Sequence, residues 1–322
     1  MNGLGTHHHY IDFEKIEHRI RACDYLSVAQ LFLRDNFLLS RPLTHNDIKP
    51  RLLGHWGTCH GINVAYANFR AVFHKGENFS IIIGPGHGFP ALQANLFLDG
   101  DLAKVDKKAL RNEKGIAYIC KNFAWPSGFP SHASPVTPGV ICEGGELGYA
   151  LAMAYGKALG HPEKTIAVLI GDGELETATA LDSLNPVKLI DGKSNGRVLP
   201  ILHLNGYKIS GPTIYGRKSE RELNELIRGF GYTPINITND KPETFQQALR
   251  QEASHPFYIL HSKKGDTGPT NFNGNRIADN YLAHQIPLPN AKTSSAELRQ
   301  LESWLKSYRF NELFSPQKGF TL

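Results

Sequence analysis

The sequence has few of the residues that mark several common classes of protein. Its 322 residues include only four cysteines, Cys23, Cys59, Cys120 and Cys142, and these show no paired metal-ligand spacing. Buried, reduced thiols are the expected state of all four. No stretch approaches the roughly 18 consecutive apolar residues of a membrane helix, and the N-terminus lacks the charged-then-apolar layout of a signal peptide. The cytoplasm is therefore the expected compartment.

Strong charge of one sign is also missing. The net charge of +5 is modest, and the lysines and arginines are scattered along the chain rather than gathered into a stripe. This pattern argues against a nucleic-acid partner and is compatible with phosphorylated small molecules. With 41% hydrophobic and 20% charged residues, the composition is that of a globular protein with one large domain or two small ones. We expect neither a nucleic acid nor a membrane as a partner.

The most informative stretch is an apolar run that ends in an acidic turn. Residues 166–170 predict a strand buried on both faces of a parallel sheet, and Gly171-Asp172-Gly173-Glu174 follows directly. A helical pattern then extends from Glu174 to about Ile190, and a second apolar strand covers 198–204. A right-handed crossover makes two such strands parallel. Asp172 and Asn205 should therefore emerge at one edge of the sheet, where ligands of open α/β sheets bind.

The residues at this edge suit a magnesium ion that carries a diphosphate. Magnesium prefers hard oxygen ligands in octahedral geometry and takes few of them from the protein. The Asp172 carboxylate, the Asn205 amide oxygen and the Tyr207 carbonyl would supply such a set, while Gly171 and Gly173 would let a diphosphate approach the backbone. A capped turn with an ordinary asparagine is an equal alternative for the Gly-Asp-Gly motif alone. The second strand-end residue, Asn205, favours the metal site.

Strand and helix patterns alternate along the rest of the chain. Further strands are predicted at 79–83, 232–237 and 257–261, and helices at 11–35, 59–74, 145–159, 219–230, 242–253 and 294–308. This alternation predicts an α/β fold with a doubly wound, mainly parallel sheet and helices on both faces. We divide the chain into an N-terminal helical arm (1–50), an α/β domain (51–290) and a C-terminal helix with a truncated linker (291–322). The three histidines at 7–9 are expected to be a solvated end.

Several other histidines lie in loops rich in glycine or proline. His55 precedes a predicted helix in Gly-His-Trp-Gly-Thr, and His87 follows a predicted strand in Gly-Pro-Gly-His-Gly. His132 follows Ser131 in a loop whose course is fixed by four prolines between residues 125 and 139. Such loops can present a histidine to a binding site. The residues alone leave open the alternatives of a core histidine or a rigid surface loop.

Two further residues are candidates for binding a phosphate group. Gly145 stands at the start of a predicted helix, where backbone N–H groups and the helix dipole favour an anion. Lys264 lies at the start of a long loop that reaches His284, and long loops are often functional; a solvated lysine is an equal alternative. The turn at Gly84 fits a dinucleotide loop poorly, because its third glycine comes one position too early and Pro85 stiffens it.

Taken together, these stretches resemble the phosphoketolase family. The likeness runs from about Tyr25 to Phe314 and includes the thiamine diphosphate motif, seen here as 171–174 followed by 202–209. The other matching stretches are Lys49–Thr58, Gly84–Gly88, Ser131-His132, Glu143–Ala150 and Ala283–Leu288.

The resemblance implies a reaction and a set of site residues. Phosphoketolases use thiamine diphosphate and Mg²⁺ to split xylulose 5-phosphate, and often fructose 6-phosphate, with inorganic phosphate into acetyl phosphate and a shorter aldose phosphate. The reaction moves protons, which suits histidine because its unperturbed pKa lies near working pH. The implied catalytic residues are His55, His87, His132 and His284. The implied metal ligands are Asp172, Asn205 and the Tyr207 carbonyl. The implied cofactor contacts are Gly145, Gly171, Asp172, Gly173, Glu174, Asn205 and Lys264.

Only the first domain of a phosphoketolase is matched. In that family, the aminopyrimidine ring of the cofactor sits against a second domain from the partner subunit, whose glutamate activates it, and no part of this sequence matches that domain. We therefore expect a homo-oligomer or a complex with a chain that carries the remaining domains. Phe89, Val136, Val140 and Cys142 stand where the family usually has Gly, Glu, Ser and His, which leaves the substrate preference open.

Two other hypotheses remain at this point. The chain could be a truncated remnant without catalysis that serves as an interaction module. It could also be a nucleotide-dependent oxidoreductase built on the Gly84 turn, although the sequence shows no nicotinamide site.

Overall fold

The computed structural model describes residues 11–73, 78–138, 140 and 143–322. The predicted solvated end at 7–9, the last residue of the helix predicted at 59–74, and Cys142 lie outside these ranges. In chain order, the described helices are α1 (Phe13–Phe32), α2 (Cys59–Val72), α3 (Phe89–Asp99), α4 (Leu102–Val105), α5 (Glu113–Asn122), α6 (Ala150–Leu159), α7 (Ala178–Asp182), α8 (Glu220–Gly229), α9 (Pro242–Leu249), α10 (Ser295–Ser307) and α11 (Phe310–Leu313). The strands are β1 (Phe79–Ile83), β2 (Thr165–Gly171), β3 (Arg197–Leu204), β4 (Thr233–Ile237), β5 (Pro256–His261), β6 (Asn271–Phe272), β7 (Asn275–Arg276), β8 (Phe314–Ser315) and β9 (Gly319–Phe320).

The described chain divides into two compact units, and each consists of several separate stretches. Unit 1 contains residues 11–16, 64–73, 78–85 and 146–263, and unit 2 contains 17–63, 86–138, 140, 143–145 and 264–322. The domain boundaries at 50 and 290 remain predictions from the sequence.

Unit 1 is built on a five-stranded sheet in the order β1-β2-β3-β5-β4, and every neighbouring pair is parallel. The interior of β2 is buried along its whole length, as the apolar run predicts. Alternate residues of β2, Ile166, Val168 and Ile170, join a core to which α6 and α8 also contribute.

Helices also cover the opposite face of this sheet. Leu199 of β3 and Tyr258 of β5 line a small cavity together with Val72 of α2 and Leu249 of α9. The ring of Phe69 in α2 meets that of Phe245 in α9 edge to face, with centroids 5.8 Å apart. The prediction of a doubly wound, parallel α/β fold with helices on both faces is confirmed.

The helix predicted from Glu174 to about Ile190 is wrong in part. Only α7 is α-helical there, and a 3-10 helix follows at Asn185–Leu189. Pro186 has no backbone N–H, and its ring obstructs a continuous α-helix. The hydroxyl of Thr177 accepts the N–H of Ala180 at 3.2 Å and so caps α7 at its start.

The helix predicted to begin at residue 145 instead begins at Ala150. Gly148 has φ +104°, a left-handed conformation that glycine adopts readily and that ends any helical run. The loop predicted from 263 to 284 also contains some regular structure, the short antiparallel pair β6–β7 and a 3-10 turn at Tyr281–Ala283.

Unit 2 is mainly helical and has an aromatic core. The rings of Tyr25 in α1 and Phe310 in α11 stack with centroids 4.1 Å apart, and Phe32 meets Trp304 of α10 edge to face at 6.0 Å. The β8–β9 hairpin joins the same core through Phe320. Residues 291–322 are therefore packed against the N-terminal helix rather than extended.

The described cysteines are free, buried thiols, as the sequence predicts. Cys23, Cys59 and Cys120 are free and buried, and burial raises the pKa of each thiol, that of Cys120 to about 12. None of the described helices has both the length and the apolar character needed to span a bilayer.

Burial of β2 on both faces predicts the effect of truncating two adjacent residues. Leu169→Ala and Ile170→Ala should each lower the free energy of unfolding by about 2–5 kcal/mol, because each leaves a cavity on a different buried face. Thr233→Ala, at an exposed position of β4, should change it by less than about 0.5 kcal/mol. Urea denaturation followed by circular dichroism measures all three. A strand buried on one face only would show a large loss for one of the pair and not for the other.

Candidate functional site

The carboxyl ends of β2 and β3 lie side by side in unit 1. Gly171 pairs with His203 in the parallel register, and the N–H of Asp172 donates to the His203 carbonyl at 3.3 Å. Beyond the strands, Asp172 Oδ2 accepts the N–H of Gly206 at 2.6 Å. The expectation that Asp172 and Asn205 share one edge is confirmed, because the carboxylate reaches the residue next to Asn205.

Neighbouring donors orient the oxygens at this edge. Asp172 is almost fully buried; its Oδ1 accepts the N–H of Gly173 at 2.9 Å, and its Oδ2 also accepts the hydroxyl of Thr213 at 3.0 Å. The side-chain oxygen of Asn205 accepts the N–H of Tyr207 at 3.2 Å. Hard oxygen ligands that are held in place in this way fit a magnesium ion.

A metal at this edge would depend on a mixed ligand set. Within the described ranges, no group of three or more histidine, cysteine, aspartate or glutamate side chains is arranged to hold a metal. The ligands available at this edge are one carboxylate with amide and carbonyl oxygens, and an ion bound there would take further oxygens from its own ligand. Magnesium bound to a diphosphate meets this condition.

Glu174 is buried among the glycine turns of unit 1. Its Oε1 accepts the N–H of Gly148 and its Oε2 the N–H of Gly171, both at 3.1 Å. Burial raises the pKa of Glu174 to about 7, and the two N–H groups oppose this rise. A Cβ atom at Gly84 would lie 2.2 Å from Oε2, so only glycine leaves room for the carboxylate. Glu174 therefore occupies the space on the Cβ side of Gly84.

In unit 2, the four histidines named by the resemblance form one cluster. The ring centroid of His55 lies 5.2 Å from that of His87, 5.2 Å from that of His132 and 5.1 Å from that of His284. The rings of His87 and His284 are 4.9 Å apart. Four segments that are distant in sequence thus bring their histidines together around His55.

Close backbone packing places His55 and His284. A Cβ atom at Gly57 would lie 2.6 Å from the carbonyl oxygen of Ala283 and 3.1 Å from Lys264 Cε. The N–H of Gly265 donates to the Gly57 carbonyl at 2.9 Å. The segment that follows His55 is therefore pressed against the two ends of the loop that carries Lys264 and His284, and this contact requires glycine at position 57.

A second close approach places His87 and His132. The N–H of Ala133 donates to the Gly86 carbonyl at 2.9 Å, and the N–H of Gly144 donates to the Ala133 carbonyl at 2.7 Å. A Cβ atom at Gly86 would lie 2.2 Å from the Gly144 backbone. The residues next to both histidines are thereby joined by the main chain.

The histidine cluster is uncharged at neutral pH. Burial lowers the pKa of His55 to about 4 and that of His284 to about 3, and neighbouring positive groups, including Lys264, add to both effects. The pKa values of His87 and His132 are lowered as well, mainly by burial. Each ring then has one nitrogen that donates a hydrogen bond and one that accepts.

Two buried nitrogens of the cluster and one lysine favour an anionic ligand. Nδ1 of His55 and Nδ1 of His284 are buried and have no hydrogen-bond partner among the described residues, which is costly unless a ligand binds them. Lys264 is almost fully buried, and its charge acts on the rings of both histidines. A ligand with phosphate oxygens would accept hydrogen bonds from these nitrogens and would be attracted by Lys264.

Gly145 differs from the other predicted contacts. It is exposed, it precedes the first residue of α6 by five positions, and no atom crowds the place of its Cβ. The sequence pattern places Gly145 at the start of a helix, but that helix begins at Ala150. Gly145 as a diphosphate contact remains a prediction that rests on the resemblance.

Sequence comparison places the chain among known proteins. The model of the family described as the XFP N-terminal domain matches residues 8–255 and 244–321. Probable phosphoketolases from Rhodopseudomonas palustris (strain HaA2) and Streptomyces coelicolor are each 42% identical to this chain, over 95% and 91% of its length. The chain spans 42% and 40% of the length of these two relatives.

Structure comparison shows the same fold in transketolases. A transketolase from Leishmania mexicana has 17% identity and a TM-score of 0.60, over 93% of this chain and 45% of that one. A transketolase mutant from Pichia stipitis has 14% identity and a TM-score of 0.63, over 96% and 42%. The fold is thus transketolase-like, and the sequence matches settle the family: this chain belongs to the phosphoketolases and corresponds to their N-terminal domain.

Proposed function

We propose that this chain is the thiamine diphosphate- and magnesium-binding part of a phosphoketolase. Its reaction is the phosphorolytic cleavage of xylulose 5-phosphate, with fructose 6-phosphate as a second candidate substrate, to acetyl phosphate and an aldose phosphate. The observation that supports this most is the buried Asp172, which hydrogen bonds hold next to Asn205 at the ends of two parallel strands.

The residues of unit 1 have binding roles in this proposal. Asp172, Asn205 and the carbonyl of Tyr207 would hold Mg²⁺, and the backbone of Gly171 and Gly173 would contact the diphosphate. Glu174 supports the same turn through the N–H of Gly171. When bound, thiamine diphosphate supplies a nucleophilic carbon and an electron sink for carbon–carbon cleavage.

The histidine cluster of unit 2 moves protons. A neutral imidazole accepts a proton at one nitrogen and donates one from the other, and His55 touches all three other rings. His55 therefore lies beside each of the other three proton carriers of this proposal. Lys264, whose charge acts on the rings of His55 and His284, attracts a phosphate group.

A non-catalytic remnant or interaction module is the second candidate. This hypothesis predicts that neither the histidine cluster nor the strand-end residues bind the cofactor or the substrates of phosphoketolases. Measurements of cofactor binding and of reconstituted activity distinguish the remnant from the first proposal.

Replacing Asp172 with Ala tests the metal site. The change removes the one charged protein ligand, so the affinity for thiamine diphosphate with Mg²⁺ should fall at least about tenfold, or about 1.4 kcal/mol. His132→Ala is the control, because it should spare binding and reduce only activity in an assembly with the remaining domains. Calorimetric titration measures both affinities. Equal affinity for the wild type and Asp172→Ala would show that the motif is only a capped turn.

Activity assays test the need for further domains. The 322-residue chain by itself should make little or no acetyl phosphate from xylulose 5-phosphate, because the family's activating glutamate has no counterpart in this sequence. Addition of a chain with the remaining phosphoketolase domains should restore turnover, measured as acetyl hydroxamate. Robust turnover by the chain alone would contradict this expectation, and no gain on mixing would favour the remnant.

Glu174 predicts a pH dependence of stability. Its pKa is about 7 in the folded chain against an ordinary value of 4.5, so the folded state binds more protons between these values and stability falls as pH rises through them. Glu174→Gln imitates the protonated form. The wild type should therefore lose stability relative to Glu174→Gln between pH 4.5 and 7, by on the order of 3 kcal/mol. Thermal unfolding at several pH values gives the difference, and parallel curves would contradict the assignment.

A further inference from the structure

Lys49 is a buried lysine of unit 2 with an unusual set of partners. Only 3% of it is exposed, and its Nζ donates to the carbonyl of Gln30 at 2.6 Å and to that of Phe123 at 3.0 Å. Within the described part of the chain, no carboxylate pairs with it. Burial lowers its pKa to about 8. A buried ammonium group is costly unless something compensates its charge.

The two carbonyls belong to the ends of two helices. Gln30 lies in the last turn of α1, and the N–H that would bind its carbonyl within a longer helix, that of Arg34, donates to Asp47 instead. Phe123 is the C-cap residue of α5. A helix C-terminus carries a partial negative charge of about −0.5. Lys49 thus satisfies terminal carbonyls of two helices, and the two helix ends compensate its charge.

Both capped ends lie against segments that carry histidines of the cluster. A Cβ atom at Gly54, the residue before His55, would lie 3.0 Å from the ring of Phe123. Phe89, two residues after His87, stacks on the same ring with centroids 6.1 Å apart. The position of Phe123, which Lys49 fixes through its carbonyl, therefore limits where both segments can lie.

Gln30 provides a second link to the segment of His87. Its Nε2 donates to the carbonyl of Pro90 at 2.9 Å and to that of Leu26 at 3.0 Å. Its backbone carbonyl is the one that Lys49 caps. One residue therefore connects Lys49 to the first turn of α3, which His87 precedes.

We propose that Lys49, together with Gln30 and Phe123, is a positioning residue that sets the orientation of His55 and His87 within the cluster. Lys49 acts through the main chain and aromatic packing and takes no part in proton transfer. Its importance for catalysis rests on the proposed function, whereas its effect on the two rings does not.

Nuclear magnetic resonance of ¹³C-labelled histidine rings tests this directly, with signals assigned by single histidine replacements. Lys49→Met keeps the length of the side chain but removes the charge and the donors, so the ring signals of His55 and His87 should shift. Lys292→Met is the matched control: this half-buried lysine of unit 2 also donates to a backbone carbonyl, that of His45, at 2.8 Å. It should leave both signals in place.

A second variant keeps the test decisive if Lys49→Met does not fold. Gln30→Met retains helix propensity and volume and removes a buried side-chain oxygen that has no partner among the described residues, so the variant should fold. The His87 signal should shift while that of His55 stays. Unchanged His55 and His87 signals in folded Lys49→Met, or an unchanged His87 signal in Gln30→Met, would overturn the proposal. Failure to bind cofactor with shifted signals would count against the proposed function alone.

Discussion

The hydrogen bond from the Gly206 N–H to the Asp172 carboxylate is the interaction on which the strand-end site depends. At 2.6 Å, it joins a charged acceptor to a backbone donor in a buried place, and such bonds are stronger than neutral ones. The parallel register brings the ends of β2 and β3 together, and this bond and that from the Thr213 hydroxyl hold the turn after β3 against the carboxylate. The positions of Asn205 and Tyr207, both in that turn, follow from it.

Buried polar groups are stabilised in different ways in the two units. In unit 1, the carboxylates of Asp172 and Glu174 are bound by backbone N–H groups, so this region is organised without a ligand. In unit 2, burial keeps the histidines neutral, and two of their nitrogens have no partner among the described residues. Unit 1 therefore offers a preformed binding edge, while in unit 2 a ligand would supply hydrogen bonds to these two nitrogens.

Local sequence patterns predicted the elements but not the contacts between distant residues. The apolar run at 166–170 identifies a buried strand because every side chain there must be apolar, whichever face it lies on, whereas β1 contains Ser80 and is only half-buried. The helix start at 145 was misplaced and the helix predicted from 174 to 190 is interrupted, because Gly148 and Pro186 impose backbone constraints that hydrophobic periodicity does not register. Thr213 as a partner of Asp172, the role of Glu174 beside Gly84, and the buried Lys49 all depend on residues brought together by the fold, and no short-range spacing signals them.

Burial has a further consequence for the proposed chemistry. The low pKa values of His55 and His284 arise mainly from desolvation and from the positive charge of Lys264. An anionic phosphate beside these rings compensates the lysine and stabilises an imidazolium, and both effects raise a histidine pKa towards working pH. Under the proposed function, the histidines therefore become effective proton carriers when a phosphorylated substrate is bound, and substrate binding is coupled to proton uptake. In the absence of such a ligand the cluster stays neutral.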